Sequence, residues 1–318
     1  MNETLNTPRF VGIDVAKDEV VVATYGDTAT RSLPNTATAL KAWLDTLPPG
    51  SGLGMESTGG YHELLAGLAH AAGFAVYLLN PRDVRYYAHA LGARAKTDQV
   101  DARLLARFIA HEHERLHHWQ PLTPIQRHID TLLKRRAALV RSQGAIRQTM
   151  EHVAGLRAET RTTLRAIDAL LAAIDREIEQ TLKQEPELQA QAACIRSVPG
   201  IGLLTGSALL NLFTRLPVAR ADAIVAFTGL DPRPCDSGHK RGRRRLSKRG
   251  PGELRRLLFN AAMSAARTRL WRPYYERERA KGLPTTAALV VIARRLVRIA
   301  YALFKTQTHF SPERMKIA

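Results

Sequence analysis

The sequence predicts an α/β domain at the N-terminus followed by a mainly α-helical remainder. Short β-rich apolar runs alternate with amphipathic helical segments over roughly the first 90 residues, a pattern typical of layered α/β folds. From residue 121 onward strand patterns disappear, and apolar residues recur at helical intervals. The chain has 318 residues, 45% of them hydrophobic, so it is long enough for two or three domains with cores of their own.

The N-terminal elements follow one another as three strands and then as helices alternating with strands. We expect strands at 10–14, 19–25, 28–33, 52–57 and 74–79, and helices at 37–47, 61–72, 81–91 and 98–109. This order is that of a ribonuclease-H-like domain.

Four carboxylates of this predicted domain lie at the ends of strands or on one face of a helix. Asp14 closes the first strand, Glu56 closes a later one, and Asp98 and Asp101 lie one helical turn apart on the same helix face. An isolated acidic helix start is usually a solvated turn favoured by the helix dipole. Four converging carboxylates repel one another unless divalent metal lies between them, and their oxygens favour Mg²⁺ or Mn²⁺. The sequence therefore predicts a metal site suited to phosphoryl transfer.

The charge balance points to a polyanionic partner. There are 47 Lys and Arg residues against 29 Asp and Glu, a formal net charge of +18, and nucleic acid is the default partner for such an excess. No apolar run reaches the length of a membrane span, and the N-terminus lacks signal-peptide character. Two cysteines, Cys194 and Cys235, cannot form a zinc site and are typical of a reducing compartment. We expect a cytoplasmic protein with no membrane role.

Two long helices, at 125–153 and 156–182, are predicted in the central part of the chain, with a break at Gly155. An antiparallel pair within one chain and a coiled coil between subunits both fit this pattern. The first helix has a basic face that either contacts nucleic acid or is simply solvated: Arg127, Lys134, Arg135, Arg136, Arg141 and Arg147.

The segment VPGIG at 198–202 precedes an apolar helix and is typical of a helix-hairpin-helix turn. Its Gly200 and Gly202 would let backbone N–H groups approach a DNA phosphate, although a tight turn without any ligand fits the pattern equally well.

Residues 228–256 are the most basic part of the chain, and their Pro and Gly content predicts a loop or hairpin. Ser237, beside Gly238, could act as a helix cap, a phosphate contact or a nucleophile. Chemistry alone ranks phosphate contact first, because serine needs activation to attack. Ser247 is the rival serine, interpreted as a phosphate contact. The predicted nucleic-acid-binding cations are Lys240, Arg241, Arg243, Arg244, Arg245, Lys248 and Arg249. Helices at 253–266 and 287–304 follow.

Taken together, these segments resemble the DEDD transposases of the insertion-sequence 110 family, the group that includes Piv-like DNA invertases. The resemblance covers essentially the whole chain. It rests on the motifs GIDVAKD, MESTGGYH, KTDQVDA, SVPGIG, FTGLDPRP, DSGHKRG, LSKRG and LRRLLFNAA, in that order.

The resemblance implies a RuvC-like catalytic domain at 1–120, a coiled-coil dimerisation segment at 121–190 and a transposase domain at 191–318. It implies that Asp14, Glu56, Asp98 and Asp101 are the metal-binding tetrad. Ser237 would be the nucleophile that forms a covalent phosphoserine link to a cleaved DNA strand.

The resemblance further implies a structured bridge RNA that pairs with donor and target DNA. It also implies a homo-oligomer, a dimer or a tetramer on DNA, in which Ser237 completes the site of another subunit. The expected function is therefore that of a recombinase of an insertion sequence, acting at the bacterial nucleoid. Alternatives are Piv-like inversion, a RuvC-like junction endonuclease that uses water, and an architectural nucleic-acid-binding protein with inert carboxylates.

Overall fold

The computed structural model shows two compact units, Met1–Pro121 and Leu122–Ala318, called unit 1 and unit 2 below. It describes residues 8–57, 60–92, 97–216, 220–233, 242 and 244–314. Unit 1 has a mixed α/β architecture, and the described part of unit 2 is mainly helical. This arrangement is consistent with the predicted RuvC-like N-terminal domain followed by helices.

Unit 1 is built on a five-stranded sheet with the strand order β3-β2-β1-β4-β5. The strands are β1 (Phe10–Val15), β2 (Glu19–Thr24), β3 (Thr30–Pro34), β4 (Gly52–Glu56) and β5 (Ala75–Leu79). The first three form an antiparallel meander, whereas β4 pairs in parallel with both β1 and β5. Parallel pairs need crossover connections, and helices provide them here. The helices of unit 1 are α1 (Ala37–Leu44), α2 (His62–Ala71), α3 (Pro81–Ala90) and α4 (Asp98–Glu112).

Side-chain alternation divides the sheet into two buried faces. On one face Val11, Ile13 and Val15 of β1 pack with Leu40 of α1 and Leu65 of α2. On the opposite face, the β5 and α4 side chains form a second cluster, made of Tyr77, Leu79, Leu104, Leu105 and Ile109 together with Val84. Helix α4 therefore covers the face of the sheet opposite to α1 and α2.

Unit 2 has one large apolar core in its described residues. Its helices are α5 (Pro124–Met150), α6 (Arg157–Lys183), α7 (Pro186–Arg196), α8 (Leu203–Arg215), α9 (Ala221–Thr228), α10 (Gly252–Ala266), α11 (Arg272–Ala280) and α12 (Thr285–Thr306). Ile129 of α5 and Ile178 of α6 belong to the same core as Phe213 and Trp271. The division of this region into separate domains at residue 190 stays a prediction.

Helices α5 and α6 form an antiparallel pair within the chain. Arg136 Nε lies 2.5 Å from the Asp175 carboxylate, and Gln143 donates to Asp168 at 2.6 Å. One member of the predicted basic face thus pairs with an acid of the neighbouring helix, so it is not simply solvated.

Several elements differ from their predicted bounds. Helix α1 ends at Leu44 because the chain turns there, and Thr46 Oγ1 donates to the Trp43 carbonyl at 2.6 Å. Helices α7, α9 and α11 were absent from the sequence prediction; they are short, with 11, 8 and 9 residues, and give little periodic signal. Among the described residues, no helix combines the length and apolar character needed to cross a bilayer.

Candidate functional site

Asp14 and Glu56 lie at the same edge of the unit 1 sheet. The parallel register pairs Ile13 of β1 with Met55 of β4, so the next residues of the two strands are Asp14 and Glu56. Asp14 is the penultimate residue of β1, and Glu56 is the last residue of β4. Both side chains are half-buried. The carboxyl edge of two hydrogen-bonded parallel strands therefore carries one acid on each strand.

Glycines fix the face from which these acids project. A Cβ atom on Gly12 would lie 2.1 Å from both the Ala102 carbonyl oxygen and the Ala106 nitrogen of α4. A Cβ on Gly54 would lie 2.6 Å from Cγ2 of Ile109. Because side chains alternate along a strand, residues two positions further on share this face. Asp14 and Glu56 therefore project on the side of the sheet that α4 covers.

Asp98 and Asp101 lie in the first turn of α4. Thr97 caps this helix, since its Oγ1 accepts a hydrogen bond from the Val100 N–H at 3.3 Å. The Asp101 N–H donates to the Thr97 carbonyl at 2.8 Å, and negative charge in a first turn is favoured by the helix dipole. Asp98 is exposed and Asp101 is half-buried. The cap sets where the helix begins and places both acids on its first turn.

The donor set is suited to a hard divalent cation, because all four groups are carboxylates and three of them are half-buried. Within the described ranges, however, no three His, Cys, Asp or Glu side chains form a group that could hold a metal ion. The four acids come from two strands and one helix of unit 1.

The two glycines of the predicted helix-hairpin-helix turn have different environments. Gly200 has φ of +103°, and a Cβ there would lie 2.6 Å from the Ala265 Cβ and 2.8 Å from the Ala261 carbonyl oxygen. Gly202 is exposed, caps α8 and has no neighbouring atom within 4 Å of an added Cβ. Packing on α10 thus explains why residue 200 is glycine, whereas only Gly202 leaves a helix start open to an approaching phosphate.

A two-stranded hairpin base carries the basic segment of unit 2. Strand β6 (Pro232–Arg233) pairs with β7 (Arg245–Leu246) in antiparallel register. Arg244, Arg245, Lys248 and Arg249 are exposed at or beside this base. The predicted residues Ser237, Lys240, Arg241 and Arg243 lie outside the described residues, as does Cys235.

Ser247 lies inside the hairpin base, with an exposed fraction of 3%. Its N–H donates to the Asp231 carbonyl at 2.9 Å, and its hydroxyl donates to the Asp231 carboxylate. This arrangement disfavours the predicted phosphate contact by Ser247, because the hydroxyl already has an acidic acceptor. Asp231 was not among the predicted functional residues. The feature that could have indicated it is its position as an acid directly before Pro232 in an otherwise basic stretch.

Arg294 of α12 is a further charged group near this base. Burial lowers the pKa of its guanidinium, and so does the nearby charge of Arg298, whereas Asp222 and Asp231 act in the opposite direction. Asp231 thus interacts both with the Ser247 hydroxyl and with a half-buried cation.

Comparisons with known proteins identify the family. One transposase family profile matches residues 11–155, and a second, described as transposase of the IS116/IS110/IS902 family, matches residues 192–276. The pilin gene-inverting protein of Moraxella lacunata is 32% identical over 263 residues, which is 80% of each chain. The chain belongs to the IS116/IS110/IS902 transposase family. It is therefore an enzyme that acts on DNA.

Other relatives of this transposase include insertion-element proteins. The pilin gene-inverting protein of Moraxella bovis is also 32% identical over 80% of each chain. The uncharacterized 44.8 kDa protein of insertion element IS116 from Streptomyces clavuligerus is 29% identical over 188 residues, covering 58% of this chain and 46% of that protein. Transposases of the DEDD type, matched by the first profile, are typically metal-dependent.

Proposed function

We propose that this transposase cuts and rejoins the DNA of an insertion sequence at a metal site in unit 1, which we interpret as a RuvC-like domain. Asp14 and Glu56 lie at the carboxyl ends of adjacent parallel strands and project toward the side covered by α4, the helix whose first turn holds two more acids. Ligands of α/β sheets bind at the carboxyl ends of the strands. Carboxylates at that position can hold the metal ions that assist phosphoryl transfer to or from DNA.

Asp14 and Glu56 would hold the metal from the sheet, and Asp98 and Asp101 would hold it from the helix. Bound Mg²⁺ or Mn²⁺ would neutralise charge on the scissile phosphate and on the attacking and leaving oxygens. The protein contributes the position of these donors. Their strands are paired along their length, and α4 is fixed against β1 by backbone contact at Gly12.

In this proposal Ser237 is the nucleophile. Its hydroxyl loses a proton and its Oγ forms a bond to phosphorus, while the bond from phosphorus to a deoxyribose oxygen breaks and that oxygen becomes a free hydroxyl. The phosphoserine ester retains the energy of the phosphodiester, so a DNA hydroxyl can reverse the reaction without ATP. This role comes from the family resemblance of the DSG motif.

A bridge RNA would choose the donor and target sites by base pairing. The formal charge of +18 and the exposed cations at the hairpin base support binding of nucleic-acid backbone. Gly202 would add a backbone contact to DNA phosphate. We further propose that the protein works as a dimer or tetramer on DNA in the nucleoid.

The decisive experiment incubates the full chain with Mg²⁺, the RNA encoded beside its gene and end-labelled donor and target DNA. We expect a covalent protein–DNA adduct that mass spectrometry maps to Ser237. Ser237→Ala should abolish both the adduct and cleavage, whereas Ser247→Ala, the matched control, should keep both.

Two outcomes would contradict the proposal. Cleavage that persists in Ser237→Ala without an adduct would identify a water-using junction endonuclease. Strand exchange that persists in the Asp98→Ala, Asp101→Ala double variant would exclude metal-dependent chemistry at this site and favour an architectural role.

Inversion is a second candidate function. It is supported by the two pilin gene-inverting relatives, each 32% identical over 80% of this chain. Plasmids that carry the element's ends in direct or inverted orientation distinguish the two reactions. Excised circles from direct ends support transposition, and inverted segments without circles support inversion.

A further inference from the structure

Helix α3 presents a basic and aromatic stripe to solvent. Arg82, Arg85, Tyr86 and His89 are exposed, and their spacing of three or four residues places them on one helix face. Tyr86 has an exposed fraction of 54%, which is high for a tyrosine. Asp83, in the first turn of the same helix, is half-buried.

The opposite face of α3 fixes the orientation of the stripe. Val84 is buried in the apolar cluster that contains Leu105 and Ile109 of α4. The Tyr87 ring packs edge-on against Phe108 of α4, with ring centroids 4.7 Å apart. Because α3 is anchored to α4 through these contacts, the stripe has a defined direction relative to the sheet of unit 1.

The Tyr86 ring is held by Arg82. The Arg82 guanidinium carbon lies 5.5 Å from the ring centroid, and its Nη2 donates to the Tyr86 hydroxyl at 3.4 Å. A cation over one face of an aromatic ring is attracted by the ring quadrupole. Pairs of this kind provide both parts of a nucleotide site: a guanidinium for phosphate and a ring for stacking a base.

The stripe begins beside the acidic strand edge. Glu56 pairs with Leu79 at the end of β5, and α3 starts at Pro81, two residues further along the chain. Asn80 caps the helix by accepting from the Arg82 N–H at 2.9 Å. Arg82 is therefore in the first turn of a helix that starts at the same sheet edge as Asp14 and Glu56.

We propose that α3 binds a DNA strand next to the phosphate being cut. Arg82 and Arg85 contact phosphates of that strand, and Tyr86 stacks with one unpaired base. This inference rests on the proposed metal site for the identity of the neighbouring phosphate. DNA is the partner because the enzyme acts on DNA and α3 begins at the sheet edge that carries the acids that would process it. Distorted or unpaired DNA is required, since a base inside a duplex has no free face to stack on a side chain.

The test measures binding in EDTA, so it does not depend on cleavage. A single-stranded DNA oligonucleotide with one 2-aminopurine reports stacking by fluorescence quenching and affinity by anisotropy. We expect Tyr86→Ala to weaken binding by about tenfold and to remove the quenching. Tyr86→Phe should keep both signals, and Arg82→Ala should weaken binding and reduce its salt dependence.

Tyr25→Ala is the matched control. Tyr25 is 46% exposed, belongs to the same unit and follows β2 at the opposite edge of the sheet, where its N–H donates to the Phe10 carbonyl. Its removal should change neither signal. Circular dichroism verifies the folding of each variant. Tyr86→Ala should fold normally, because the exposed Tyr86 side chain is not part of the core.

Two results would overturn the inference. Equal affinity and quenching for Tyr86→Ala and wild type would show that the ring binds no base. A Tyr86→Ala defect with an RNA oligonucleotide of the same sequence, but not with DNA, would assign the stripe to RNA. Failure of the metal site would appear separately, as normal DNA binding in EDTA without cleavage in Mg²⁺.

Discussion

The acidic edge of unit 1 and the hairpin base of unit 2 are positioned in different ways. At the edge, Asp14 and Glu56 lie on paired strands, and the packing that fixes α4 above them involves backbone atoms at Gly12. At the hairpin base, two paired strands of two residues each are flanked by a polar contact between Ser247 and Asp231. The close packing that positions α4 in unit 1 therefore involves atoms other than the carboxylates. At the hairpin base, by contrast, the polar side chains of Ser247 and Asp231 bind each other directly.

This difference predicts that Asp14→Asn affects chemistry far more than stability. Loss of one charge from the proposed metal site should lower the rate of strand cleavage by about 10²–10³-fold, the cost typical of removing one electrostatic group at a reacting centre. Single-turnover cleavage with Mg²⁺ measures the rate, and thermal unfolding measures stability. Asp18→Asn, an exposed acid in the β1–β2 connection, is the control and should cleave at the wild-type rate. Wild-type cleavage by Asp14→Asn would remove Asp14 from the site.

The opposite outcome is expected at Gly12. An alanine methyl group would lie 2.1 Å from backbone atoms of α4, so the helix must move away from β1. We expect Gly12→Ala to lower the free energy of unfolding by about 3 kcal/mol or more. Urea denaturation measures this change. Gly67→Ala is the control, because Gly67 lies within α2 with no atom within 4 Å of an added Cβ. That variant should gain about 0.5–1 kcal/mol, and equal stabilities would contradict the close packing of α4.

In unit 2, the turn before α8 contains one glycine that packs against α10 and one that is exposed. Gly200→Ala should cost about 2 kcal/mol of stability, because it combines a positive φ with contact against α10. Gly202→Ala should change stability by less than about 0.5 kcal/mol and should weaken DNA binding, since the methyl group obstructs the open start of α8. Denaturation and anisotropy with duplex DNA separate the two effects. If Gly200→Ala weakened DNA binding and Gly202→Ala did not, Gly200 and not Gly202 would be the residue that approaches DNA.

The sequence predicted the regular elements of unit 1 because their signals are local. Its strands and helices are of ordinary length, and their apolar residues recur with clear periods. Asp14 and Glu56 could be predicted as site residues because they lie near the ends of predicted strands. The distinction between Gly200 and Gly202 was not predictable. It depends on Ala261 and Ala265, about 60 residues further along the chain.

Asp231 could not be predicted as the partner of Ser247 for a similar reason. Asp231 lies 16 residues before Ser247, and their contact exists only once β6 and β7 pair. Two-residue strands carry no periodic signal. The cations beside the serine were recognisable from composition, whereas the buried contact between Ser247 and Asp231 is visible only in the structure.

Ser247→Ala is expected to destabilise the protein less than Gly12→Ala or Gly200→Ala. Removing the hydroxyl leaves the Asp231 carboxylate without this donor in a half-buried position, which should cost about 1–2 kcal/mol. Ser264→Ala, an exposed serine on α10, is the control and should change stability by less than about 0.5 kcal/mol. DNA affinity of Ser247→Ala should stay near that of wild type, because the exposed cations remain. Lost affinity with unchanged stability would mean that Ser247 contacts phosphate after all, and the hairpin base would then resemble the acidic edge, with its polar groups serving the substrate.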